Sequence, residues 1–198
     1  NRIRRIRDGL IETIAGDGDS GFSADGTLAG EAQLNSPREL KISEDGSSLY
    51  FAERSAHRLR MIPLVDGEPQ ALVTVIGGGE QPLSQGVSAL DVDLPAPLSL
   101  WLDGAYIYLP LARAGSVVRL TPAGTLDIVA SIGGQHGAGE GEVTFLPDMP
   151  KAVALDPWGV IYVQCVNNLL YQLRDGVAIR VKGVPDVTTY LRDAGPAS

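Results

Sequence analysis

One unit recurs three times along the chain, and that recurrence constrains the fold more than any single motif. Pro37 precedes a strand-like run at 39–43, an Asp45-Gly46 turn, and further runs at 48–53, 58–62 and 71–76. Pro97 precedes runs at 98–102, 106–109, 116–120 and 125–129, with Asp103-Gly104 between the first two. Pro150 precedes runs at 151–155, 160–163, 169–173 and 177–181, with a turn at Pro157-Trp158-Gly159. Tyr50, Tyr108 and Tyr162 stand 13, 11 and 12 residues after the three prolines, so the register is kept. The period of about 55 to 60 residues is that of a repeat architecture. The residue before a proline is biased to extended backbone, and Asp-Gly supplies the positive φ angles of a tight hairpin.

These features predict an all-β chain, a β-propeller of four-stranded antiparallel blades in an incomplete ring. The whole chain, 1–198, reads as one propeller segment. Residues 1–14 match the third and fourth strands of the unit and form an outer half blade. Blades follow at 37–76, 97–132 and 150–182, and 183–198 begins an inter-blade loop. In Arg58-Leu59-Arg60-Met61-Ile62 the arginines alternate with apolar residues, the pattern of a strand with one wet face. The first strands are more uniformly apolar, as expected where inner strands line a crowded centre. No segment keeps a helical period over 11 or more residues, which disfavours a βαβ fold.

Composition narrows the function classes. Hydrophobic residues make up 44% of the chain, enough for a real core. No apolar run approaches the roughly 18 residues of a membrane span. Sixteen basic against 24 acidic residues leave a net charge of −8, which repels a phosphate backbone, so no nucleic-acid partner is expected. Cys165 is the single cysteine, so no internal disulfide forms, and only His57 and His136 could join it around a metal. The compartment stays open, with an extracellular or periplasmic place in a larger exported protein among the options.

Two stretches resemble NHL-repeat propellers. Residues 1–6, Gly9–Gly16, Gly21–Gly26 and Ala32–Pro37 are similar to a bacterial form of that repeat, and so are Leu49–Glu53 and Ala56–Arg60. The resemblance is close over 1–64. The later units keep the proline, glycine and tyrosine positions but carry Leu111 and Cys165 where Glu53 stands. It implies a six-bladed ring, of which this chain holds about three and a half blades. A piece of a longer propeller, or two copies closing one ring, would satisfy that expectation.

Chemistry-bearing motifs are sparse. Gly16-Asp-Gly-Asp-Ser-Gly21 fits the dinucleotide-loop pattern, but no helix follows it, and Asp17 and Asp19 would repel phosphates. Asp17, Asp19 and Asp25 could hold calcium, yet Gly21 and Leu28 occupy positions where an EF-hand loop needs acids. Some six-bladed propellers are hydrolases, lactonases or lyases with a tunnel metal. Of the corresponding residues here, Arg38-Glu39, Leu98-Ser99 and Lys151-Ala152, only Glu39 is a credible oxygen donor to a metal. His57 reads as structural at a strand start, and Cys165 as a buried apolar residue. Arg2, Arg4, Arg5 and Arg7, with Arg54, Arg58 and Arg60, read as a solvated outer face.

The expected function is a recognition or scaffold module that is not an enzyme, uses no cofactor or metal, and binds a protein or small ligand through its rim loops. The candidate binding residues are Arg54, His57, Arg113, Asn167 and Asn168. The rim would also include 15–37, 77–97 and 134–150. Its rival is a metal-dependent hydrolase or lyase completed by further blades.

Overall fold

The computed structural model describes residues 1–132, 144–174 and 176–182. His136 and the terminal stretch 183–198 lie outside the described residues. The first sheet is the antiparallel pair β1 (Ile3–Arg7) and β2 (Leu10–Ala15). The second is the meander β3 (Pro37–Ile42), β4 (Ser48–Glu53) and β5 (Arg58–Val65). A short β6 (Glu68–Pro69) pairs with the end of β5, and β7 (Val73–Gly77) pairs with its beginning. The third holds β8 (Val87–Ser88), β9 (Trp101–Asp103), β10 (Tyr106–Leu111), β11 (Ser116–Leu120), β12 (Thr125–Ser131) and β13 (Thr144–Phe145). Within it β9 to β12 run as an antiparallel meander. The fourth is β14 (Pro150–Leu155), β15 (Ile161–Cys165), β16 (Leu170–Arg174) and β17 (Val177–Lys182).

Period-2 alternation makes each sheet two-faced, and the faces stack in series. Leu49 and Phe51 of β4 turn toward the first sheet and join Ile3, Ala15 and Ile62, while Leu59 and Ile76 join Leu109 and Leu126 of the third. Tyr108 and Val117 leave the opposite face of the third sheet to meet Val163 and Tyr171 of the fourth. Burying both faces of successive four-stranded sheets against their neighbours is the propeller arrangement. The chain is an all-β propeller segment, and its described blades form no closed ring.

One irregularity recurs in all four sheets. The third strand shifts register against the fourth at Ile3/Arg4, Leu59/Arg60, Val117/Val118 and Leu170/Tyr171. A bulge of this kind twists the strand and re-aims the side chain that follows it. It therefore aligns Arg4, Arg60, Val118 and Tyr171 as one structural position.

Two of the long segments between blades, Gly26–Pro37 and Gly86–Pro97, share contacts at matching positions. Gly26 N donates to Leu72 O and Gly86 N to Leu126 O, while Ala29 N and Ala89 N donate to Gln70 O and Gly124 O. Each segment so covers the outer edge of the next blade, where an open strand would invite foreign pairing. Ala29, Ala32 and Leu34 in one, and Ala89, Val92 and Leu94 in the other, are buried. Segments 15–37 and 77–97 are thus packed cover for much of their length rather than free rim loops.

Three further expectations change. Arg60 does not face water but is fully buried, because the loop carrying Ser23 and Asp25 covers its face of the strand. The inner strand β3 is mostly exposed rather than crowded, with Arg38, Glu39, Leu40 and Ile42 all open to solvent. The run at 98–102 becomes a strand only from Trp101.

Candidate functional site

The turns between the second and third strands share a left-handed end, and in the second and third sheets they share a 3-10 turn as well. Glu53 leads into a single 3-10 turn, Arg54–Ala56, and Leu111 into the matching Ala112–Ala114. The turn then ends on a left-handed residue: His57 at φ 55°, Gly115 at φ 62° and Asn168 at φ 63°. Only glycine adopts this region without cost, and asparagine and histidine are among the side chains that tolerate it best. Two of the five candidate residues, His57 and Asn168, therefore have a backbone reason for their identity. His57 Nδ1 lies 3.5 Å from Asp93 Oδ1 of the next inter-blade segment. Asn167 Oδ1 accepts a hydrogen bond from Leu169 N at 3.0 Å, which pins the third turn.

Arg54 and Arg113 are one position apart in this frame, Arg113 matching Ser55. Arg113 borders a rim cleft of about 210 Å³ between the third and fourth blades, lined also by Ala112, Ala114, Gly115, Ile132 and Met149. Val166 N donates to Met149 O at 3.0 Å, joining the Asn167-Asn168 turn to that cleft. Arg113 thus borders this hollow, Asn167 and Asn168 stand on the neighbouring turn without lining it, and Arg54 and His57 lie on the turn of the second blade.

Beneath the rim of the second blade lies an ionic network that the sequence pattern did not reveal. Arg60 Nη1 donates to Glu53 Oε2 at 3.3 Å, and its Nη2 to Asp25 Oδ1 at 3.2 Å. Asn35 N donates to Glu53 Oε1 at 2.8 Å, and Thr74 donates to Asp25 from both its N (3.0 Å) and its Oγ1 (2.7 Å). Burial pushes the Glu53 carboxyl up and the Arg60 guanidinium down, each against the pull of its partner. Phe22 lies 4.4 Å below the Arg58 guanidinium and 5.7 Å from that of Arg60, so the loop is clamped by cation–π contact as well. Asp25 is therefore a clasp on the covering loop. Arg5 and Arg7 meet Glu68 at 3.0 and 3.2 Å, which uses two more cations of the arginine stretch.

Other candidates are placed as follows. Asp17 accepts from Asp19 N at 2.8 Å, a local turn contact. Glu39 sits at a bulge of β3 with φ 31° and pairs with Lys41 Nζ at 3.4 Å. Cys165 is buried beside Tyr171, and burial pushes its thiol up to about 12. That removes the thiolate needed for nucleophilic chemistry. Among the described residues no three His, Cys, Asp or Glu side chains converge as a metal site. No helix there is long and apolar enough to cross a membrane.

The serial stacking of two-faced sheets defines the class as a β-propeller. No known family profile matches the chain, and no curated protein matches it. Solved structures do. A protein of unknown function from Bacteroides thetaiotaomicron matches with a TM-score of 0.52 at 17% identity, over 87% of this chain and 40% of its own. An auxiliary nutrient binding protein from Bacteroides ovatus matches with a TM-score of 0.53 at 18% identity, over 65% of this chain and 35% of its own. Virginiamycin B lyase from Staphylococcus aureus matches with a TM-score of 0.46 at 16% identity, over 77% of this chain and 42% of its own. The chain thus spans about two fifths of the length of structures it resembles. At these identities the likeness is one of fold, and fold carries no activity with it.

Proposed function

We propose that the chain is a segment of a six-bladed, NHL-type propeller and acts as a recognition module rather than an enzyme, its partner held on the rim by Arg54, His57, Arg113, Asn167 and Asn168. The supporting observation is the repeated rim turn. Turns with a shared left-handed end present different side chains in each blade, Arg54 and His57 in one, Arg113 in the next, Asn167 and Asn168 in the third. Rigid sheets carrying variable turns suit binding. The cleft of about 210 Å³ beside Arg113 offers a place for a side chain of the partner.

The parent protein, purified with its bound partner, tests this reading. Hydrogen-exchange protection on the rim turns, with binding lost in the triple variant R54A/R113A/N167A, is the expected result. Protection confined to the Asp-Gly turns at the other end overturns it. So does ester or lactone hydrolysis that a chelator abolishes.

A further inference from the structure

A second hollow opens at the opposite end of the blades. There the second and third sheets separate toward their turns and leave a cleft of about 760 Å³. That lies in the range of small-molecule sites, roughly 300–1,000 Å³. Its floor is apolar. Tyr50, Val75, Leu102 and Leu120 line it while packing on the core beneath, and none of the four is fully buried.

The lip has one sign of charge. Glu44 and Asp45, with Ser43, come from the β3–β4 turn, Thr121 comes from the β11–β12 turn, and no lysine or arginine lines the cleft. Asp45 is fixed in place by Ser43 Oγ at 2.6 Å and by Ser47 N at 3.0 Å. Ala105, exposed in the β9–β10 turn, also borders the cleft. An apolar floor under two carboxylates selects by charge among ligands of one shape, because an amine gains an ion pair and an acid meets repulsion.

We propose that this cleft binds a small organic amine with an apolar body, the body against Tyr50, Leu102 and Leu120 and the ammonium between Glu44 and Asp45. The proposal is independent of the rim reading, since it uses the other end of the blades.

Phenethylamine, 2-phenylethanol and 3-phenylpropionate, titrated into the full chain and followed by NMR, provide the test. Saturable binding of phenethylamine with shifts at Tyr50, Leu102 and Leu120 is expected, weaker binding of the alcohol, and none of the acid. E44Q should weaken the amine about two- to fivefold, the range of an exposed ion pair. A105W, which places an indole at the mouth, should abolish binding while the fold is retained. Equal binding of amine and acid, shifts away from the cleft, no saturation by the amine, or an affinity unchanged in both E44Q and A105W would each overturn the proposal.

Discussion

Glu53 and Arg60 face each other across neighbouring strands, Oε2 to Nη1 at 3.3 Å, and both side chains are sealed from solvent. In the third sheet Leu111 and Val118 hold the two matching positions, and in the fourth Cys165 and Tyr171 do. All six are buried on the side of the blade that faces its predecessor. One structural site is thus filled by an ion pair, by two aliphatic groups, and by a thiol with a phenol.

Swapping the first solution for the second should succeed only when both residues change. E53L alone leaves Arg60 buried with Asp25 as its one remaining acidic partner, and should cost about 3–5 kcal/mol, the usual penalty for breaking a buried pair. R60V alone strands Glu53 in the same way. The double variant E53L/R60V copies the Leu111–Val118 pair and should regain most of the loss, because apolar replacements of buried pairs are often neutral or better. Urea denaturation midpoints of the three variants check this, and a double variant no better than the singles refutes it.

Asp45 sets a signature at low pH. The Ser43 hydroxyl, then the Ser47 backbone and hydroxyl, hold its carboxyl down to about 2 from an ordinary 3.8. A carboxyl with a lowered folded-state value adds stability above its unfolded value and loses it as pH falls through the folded one. The thermal midpoint should therefore drop between pH 3.8 and about 2, and D45A should flatten that part of the profile. Scanning calorimetry across this interval measures both.

Glycines of similar positive φ should differ in tolerance by what they touch. Gly16 (φ +93°) lies against the Asn1 carbonyl and Arg2 Cα, and Gly77 (φ +89°) against the His57 carbonyl and Leu94. Gly86 (φ +75°) meets nothing within 4 Å. G86A should cost roughly 1–2 kcal/mol, the left-handed penalty alone. G16A and G77A should cost more, since the backbone must also move. Denaturation of the three variants side by side decides it, and equal losses would show that contact adds nothing.

Much of this architecture was readable from local pattern. Pro37, Pro97 and Pro150, the Asp-Gly turns and the three tyrosines mark the meanders because strand alternation and turn chemistry act over a few residues. Tyr50, Tyr108 and Tyr162 do stand at one position, three residues before Glu53, Leu111 and Cys165. The cover segments carried a signal too: Gly26, Ala29, Ala32, Leu34 and Pro37 repeat as Gly86, Ala89, Val92, Leu94 and Pro97. Their high polar content otherwise masks it.

Arg60 shows where local pattern stops. Strict alternation places it on the wet face beside Arg58, and no neighbour in sequence says otherwise. It keeps that face, opposite Phe51 and beside Ile62, but the loop bearing Phe22 and Asp25 covers it, and its acidic partners come from 7 and 35 residues away. Likewise Arg113 and Met149 border one hollow only because the third and fourth blades stack. The sequence by itself determined the repeat, the strands and the turns, since these rest on short-range sterics and burial. Which charges are buried, which loops are cover, and which turns share a cleft were decided by blade stacking, because those energies arise between residues far apart in the chain.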